Sequence, residues 1–173
     1  MKSIINKISW SIKEKMLSTK KSEIQREKTF PELDKVKTCL IVWKTHTDEL
    51  RWQDKLKKEL PQAKIDKVCI IQQDYQEERR NDIIYINSDD VDMKGKINNQ
   101  QLNELLEKKY DLLIDLNSST DVLSDFVVRN SHALCKVSMV KESDVTDIMI
   151  DGVTNENDLI TQTIAILSKF KKC

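Results

Sequence analysis

Six short apolar runs punctuate the chain: Thr38–Trp43 (TCLIVW), Lys67–Ile71 (KVCII), Asp82–Ile86 (DIIYI), Asp111–Leu116 (DLLIDL), Leu134–Met139 (LCKVSM) and Asp147–Ile150 (DIMI). Each is too short for a helix and carries β-branched residues, so each predicts a strand; most are apolar on both faces, as in a sheet covered on both sides. Between the runs the apolar spacing changes to three and four, which predicts helices. Leu50, Trp52, Leu56 and Leu60 place one at 48–60, stopped by Pro61. Leu102, Leu105 and Leu106 place another at 99–109, and Val122, Leu123, Phe126 and Val127 a third at 120–131. Leu159, Ile160, Thr163, Ile164, Leu167 and Phe170 share one side of a last helix ending near 171. Thr45 or Thr47, the Ser118-Ser119-Thr120 run, and Thr154 or Asn155 are the expected caps of three of these, since their side-chain oxygens can accept first-turn N–H groups. A short polar turn or helix is expected near 74–79 and a loop at 87–97.

Ahead of the first run, residues 3–27 contain neither Gly nor Pro and read as one amphipathic helix, ended by Phe30-Pro31. Ile4, Ile5, Ile8, Ile12 and Met16 fall in one sector of about 120° when residues advance by about 100° each. A second stripe, Trp10, Leu17 and Ile24, repeats at heptad spacing on another side, interleaved with Lys13, Lys20 and Lys21. The first stripe is expected to pack on the body, and the second to face a partner, a membrane surface or nothing.

Strands alternating with helices mean a mainly parallel sheet covered on both sides. The expected architecture is α/β: a Rossmann-like three-layer domain at 36–173 with a mainly parallel sheet of five to six strands, preceded by a basic amphipathic helix within residues 1–30.

Composition sharpens this. The 173 residues hold 29 basic and 29 acidic side chains, for a formal net charge of zero. The zero hides a partition: residues 1–28 carry eight Lys or Arg and three Glu, a net of +5, so the remainder carries −5. The glycines, Gly95 and Gly152, lie far apart, which excludes GxGxxG and Walker A phosphate loops. Cys39, Cys69, Cys135 and Cys173 are too widely spaced for a zinc ribbon and fit a reducing compartment. Lys7 and Lys13 interrupt any signal-peptide core, and no run approaches a membrane span, so a cytoplasmic location is expected.

In open α/β sheets, ligands bind outside the carboxyl ends of the strands. That edge receives Lys44, Thr45 and His46 after the first strand, and Asp115, Asn117, Ser118 and Ser119 after the fourth, beside a helix start suited to an anion. Arg129 or Lys44 would clamp a phosphate. Asp115 sits in an apolar strand, where a carboxylate needs partners: it would be a base or hydroxyl-binding group, or would accept N–H bonds from adjacent loops. His46 and His132 lack a placed nucleophile, and Asp89, Asp90 and Asp92 read as a solvated acidic turn rather than a calcium loop. No catalytic residue, metal or cofactor is expected.

The stretches Tyr110–Asn117 (YDLLIDLN), Arg129–Met139 (RNSHALCKVSM) and Asp147–Asp151 (DIMID) resemble an uncharacterised conserved family of Bacteroidota, a domain-of-unknown-function family with a short basic amino-terminal helix and a compact α/β body. Ser138 stands where that family tends to have glycine. Tyr110–Leu116, Asn117–Ser119 and Lys136 are also distantly similar to the amino-terminal half of heptosyltransferase-like glycosyltransferases. Here Lys44–Asp48 replaces that group's glycine-aspartate loop, Asn117-Ser118 replaces its Gln-Gly, and its nucleotide-sugar-binding half is absent.

The charge partition and the lack of a catalytic constellation point to a non-enzymatic binding or adaptor protein. Its attachment residues would be Lys7, Trp10, Lys13, Leu17, Lys20, Lys21 and Ile24, and its partner a protein or an anionic surface, RNA or membrane. The alternative is a small enzyme or ligand-binding domain, degenerate glycosyltransferase-like, holding an anionic ligand at the strand edge.

Overall fold

A computed structural model describes residues 2–19, 24–44, 51–72, 78–140 and 144–170. Among them five α-helices accompany a sheet of six parallel strands, in the α/β arrangement expected. The order is α1 (Lys2–Thr19), β1 (Thr38–Lys44), α2 (Arg51–Glu59), β2 (Lys64–Ile70), β3 (Ile84–Ile86), α3 (Gln100–Leu106), β4 (Lys109–Asp115), α4 (Val122–Asn130), β5 (His132–Ser138), β6 (Ile148–Met149) and α5 (Glu156–Leu167). Across the sheet the strands run β3-β2-β1-β4-β5-β6, the doubly wound arrangement.

Several strands start earlier than their apolar runs. Thr38 of β1 pairs with Lys64 of β2, and Lys109 of β4 with His132 of β5. The ladder continues while a neighbour offers backbone partners, and the polar residues at its amino end reach solvent. Cys39 through Trp43 of β1 are all buried, as a central strand requires. One face of the sheet, with Cys39, Ile41, Leu112, Ile114, Cys135 and Val137, packs against Trp52 and Leu56 of α2 and Leu159, Ile160 and Ile164 of α5. Trp43 and Trp52 meet edge to face with centroids 5.0 Å apart. The other face, with Leu40, Val42, Val68, Ile70 and Leu113, packs against Leu102 and Leu105 of α3, Leu123 and Val127 of α4, Val91 and Ile97 from the segment before α3, and Leu17 of α1.

Helix α1 corrects two expectations. Its described span is Lys2–Thr19, and the chain is non-helical from residue 24, short of the expected 27; Ser18 and Thr19 hydroxyls donate to the carbonyls of Glu14 and Met16. Ile24 is half-buried in irregular chain, not on the helix. The two stripes also exchange roles. Leu17 is buried in the core and Trp10 packs against it, whereas Ile8, Ile12 and Met16 are 58%, 45% and 38% exposed. The side chains of Ile4 and Ile5, together with Lys20 and Lys21, lie outside the described residues, as do Thr45, His46, Thr47, Leu50 and residues 73–77.

A close backbone contact docks the helix. Gly95 has φ +68°, and a Cβ there would lie 2.9 Å from the backbone N of Leu17 and 2.9 Å from the backbone carbon of Met16. The turn at Gly95 thus lies directly against the last turns of α1. Lys13 Nζ donates to the Ser88 carbonyl at 3.2 Å on the same side. Beyond the helix, Thr29 N donates to the Leu134 carbonyl at 3.1 Å, and Arg26 donates to the Ala133 and Leu134 carbonyls. Arg26 also forms a two-pronged ion pair with Asp147 at 2.8 Å, the two side chains 2% and 6% exposed. Because β6 pairs only with Val137 and Ser138, this strap covers the part of the β5 edge that β6 leaves open.

Helix ends show smaller differences. Asn155, one of the two expected caps, caps α5, but Asp121 rather than the Ser118–Thr120 run caps α4. Phe170 lies past the end of α5 and stacks on Phe30, centroids 5.3 Å apart, instead of continuing the helix's inner side.

Replacing Gly95 with alanine should lift α1 from the body. We expect a loss of about 1–3 kcal/mol in denaturant unfolding, the usual cost of overpacking, and faster amide exchange confined largely to α1. Unchanged exchange in α1 would contradict this docking.

Candidate functional site

The chain leaves β1 toward β2 on one side and β4 toward β5 on the other, so the topological switch lies between β1 and β4. Leu116 N donates to the Val42 carbonyl at 2.8 Å and carries the β1–β4 ladder to the rim. Asp115, the last residue of β4, is 7% exposed. Its Oδ1 accepts from Asn117 N at 3.1 Å and Asn117 Nδ2 at 2.6 Å, and its Oδ2 accepts from Ser124 Oγ at 3.0 Å. Asn117 Nδ2 also donates to Ser124 Oγ at 2.9 Å, closing the network. The carboxylate thus has the partners its burial demands, supplied by the loop and α4. Burial still outweighs these bonds and raises its pKa from 3.8 to about 6, with the nearby Asp121 charge pushing the same way.

Asp121 occupies the α4 start. Its Oδ1 accepts from Leu123 N at 3.0 Å and Ser124 N at 3.2 Å, and its Oδ2 pairs with Lys44 Nζ at 2.8 Å. A side-chain carboxylate therefore takes the place where an exogenous anion was expected, and the expected phosphate clamp neutralises it. Ser118 and Ser119 are exposed on the preceding loop. Arg129 lies in the last turn of α4, eight residues and about 12 Å along the axis from Asp121. It is bound to Asp125 at 2.6 Å and to Asp144. The structure thus joins Lys44, Asp115 and Asn117 through Asp121 and Ser124, and sets Arg129 apart. Thr45 and His46 lie outside the described residues.

Other chemistry-bearing groups face inward. Burial pushes the Cys39 thiol up and the Cys135 thiol up to about 12, so neither is a ready nucleophile. Asp90 accepts from Asn87 N, and Asp92 from Lys94 N and Lys96 N, so carboxylates of the acidic turn bind their own backbone. A cavity of about 620 Å³ opens at the opposite edge, near the amino ends of β1 and β2, lined by Glu32, Asp34, Glu59, Val36, Leu60 and Leu167 among others.

The surface of α1 is the second candidate. Trp10 and Leu17 lie near 190° on the helical wheel when Ile8 is set at 0°, and Ile8, Ile12 and Met16 centre near 40° at about 100° per residue. The exposed apolar stripe therefore points away from the body. Lys7 and Lys15 are exposed on the same helix, and Ser9 Oγ meets the Sδ of Met93, itself 53% exposed, at 3.7 Å. Of the expected attachment residues, Lys7 is exposed, Trp10 and Lys13 are half-buried, and Leu17 is in the core.

Sequence reasoning missed Asp121, Ser124, Gly95 and Arg26. Asp121 stands one residue past the expected caps; Arg26 enters the sequence reading only through the charge of residues 1–28, and its pairing with Asp147 across 121 positions has no local signal.

The Asp115 network has a pH signature. Between about pH 4 and 6 the native state holds a proton that the unfolded chain has released, so stability falls as pH rises through that window. Asp115→Asn, which mimics the protonated form, should remove the fall. From pH 4 to 7 the variant should gain on the parent by an amount on the order of 3 kcal/mol, measured by denaturant unfolding. Parallel pH profiles would contradict a buried, destabilised carboxylate.

No curated protein and no solved structure matches the chain. A family model matches residues 8–170, nearly the whole chain and most of α1 with it. The protein therefore belongs to the family of unknown function DUF6913.

Proposed function

We propose that this is a non-enzymatic cytoplasmic binding or adaptor protein of Bacteroidota, whose basic amino-terminal helix attaches the α/β body to a partner. The observation that carries the reading is the outward stripe of α1. Ile8, Ile12 and Met16 are exposed although the same helix has a second apolar side that already satisfies the core. A helix needed only to cover the sheet requires one apolar side; a second, turned to solvent, is an attachment surface. The attaching residues are then Lys7, Ile8, Ile12, Lys15 and Met16, with Trp10 and Leu17 holding the helix in place.

A degenerate glycosyltransferase-like domain holding an anion at the strand edge draws support from the doubly wound strand order. The local chemistry favours it less. Asp121 occupies the first N–H groups of α4, Lys44 is paired with Asp121, and Asp115 is engaged by Asn117 and Ser124.

Photo-crosslinking in the native cell separates attachment from mere exposure. A photoreactive residue at position 12 should give a defined adduct, to one protein or to membrane lipid, whereas the same residue at exposed Gln62 should not. Equal, diffuse labelling from both positions would remove α1 from the function.

A further inference from the structure

The chemistry around the exposed stripe narrows the partner. We infer that the outward face of α1 is a docking surface for an anionic lipid bilayer, a conclusion that rests on α1 being the attachment element. Three observations carry it. The first is shape: the stripe lies on the side of α1 opposite Trp10 and Leu17, so it forms a ridge rather than a groove. A fluid lipid interface receives a ridge of aliphatic side chains without a prebuilt complement; a folded protein partner would have to supply a matching groove. The second is charge. Helix α1 carries Lys2, Lys7, Lys13 and Lys15 against Glu14 alone; exposed Lys15 borders the stripe, and exposed Lys7 lies farther round the helix on the same side. A protein of zero net charge thereby has its apolar ridge set among cations, the pairing that anionic headgroups over an acyl layer select.

The third is continuity. Met93 is 53% exposed, touches Ser9, and precedes exposed Lys94, so the apolar and basic surface extends beyond the helix onto the turn that holds it. Gly95 fixes that turn against Met16 and Leu17, and Lys13 ties the helix to Ser88. The surface is therefore preorganised. With no helix long and apolar enough to cross a membrane among the described residues, α1 would lie in the headgroup plane with the sheet standing on the aqueous side. RNA fits less well, because a phosphate backbone gives three exposed aliphatic side chains nothing to bury against.

The test is co-sedimentation of the full-length protein with vesicles of phosphatidylcholine alone and of phosphatidylcholine mixed with phosphatidylglycerol. The variants are Ile8→Asp/Ile12→Asp and Lys7→Glu/Lys15→Glu, whose positions are exposed, so an unchanged circular dichroism spectrum confirms folding. The parent should bind mixed vesicles at least about tenfold more tightly than neutral ones, and each variant should lose about tenfold or more. Added salt should weaken parental binding without abolishing it. Binding to neither vesicle, or binding that the Ile8/Ile12 variant retains, overturns the inference. So does an Ile12-dependent dimer in sedimentation, or RNA binding unaffected by the Ile8/Ile12 variant, without vesicle binding. Crosslinking of position 12 to a protein, with no vesicle binding, would overturn the lipid assignment while leaving α1 as the attachment element. No discrete crosslink and no vesicle binding would remove both.

Discussion

A parallel strand at the centre of a sheet has two faces to hide. β1 shows this most directly, with Cys39 through Trp43 all buried between its neighbours β2 and β4. Helices α2 and α5 cover one face. On the other, α3 and α4 share the work with the 91–97 turn, and Leu17 of α1 joins the same cluster. α1 is thus drawn onto the molecule by burial, and its inner side is committed to that role. Everything else about the helix follows from which side is committed.

The means of attachment are specific. Gly95 allows backbone-to-backbone approach at Met16 and Leu17, which no side-chain-bearing residue in that conformation would match. Arg26 is almost wholly buried, yet its guanidinium meets two carbonyls and both oxygens of Asp147, so its charge is paired. Asp147 in turn accepts from Lys136 N, locking the segment ahead of β6 to β5. A basic residue that reads as solvated thus closes the open edge of β5. Together these contacts make the amino-terminal segment a part of the sheet's covering, and leave the stripe at Ile8, Ile12 and Met16 as surplus apolar surface. The anion site expected at the carboxyl edge of the strands is filled by the protein's own groups. Asp121 caps α4 and Lys44 neutralises it, leaving Asp115 a member of a closed polar network.

The fold was legible because it rests on local pattern. Every strand coincides with an apolar run, and α2 to α5 lie where spacings of three and four placed them. Strand order was not legible, since it depends on which runs pair. The orientation of α1 was misread for a related reason. Both stripes are apolar, and the contact that docks the helix, at Gly95, is about eighty residues away. The docking turn meets the Met16–Leu17 backbone and Ser9, while Leu17 and Trp10 join the core beside it. At the strand edge, composition located Asp115 and Lys44, but Asp121 was passed over for the serines before it. The Lys44–Asp121 pair joins residues 77 positions apart, which no local reading connects.

Thiol accessibility along α1 tests the orientation most directly. Single cysteines would be placed at positions 8, 12 and 16 and at 10 and 17, in a protein whose Cys173 is replaced by serine; Cys39, Cys69 and Cys135 are buried. The expected result is modification at 8, 12 and 16 at rates near those of an unfolded peptide, with 17 strongly protected and 10 intermediate. Protection at 8, 12 and 16 with free reaction at 10 and 17 would contradict it, and would return the outward surface to the Trp10–Leu17 side.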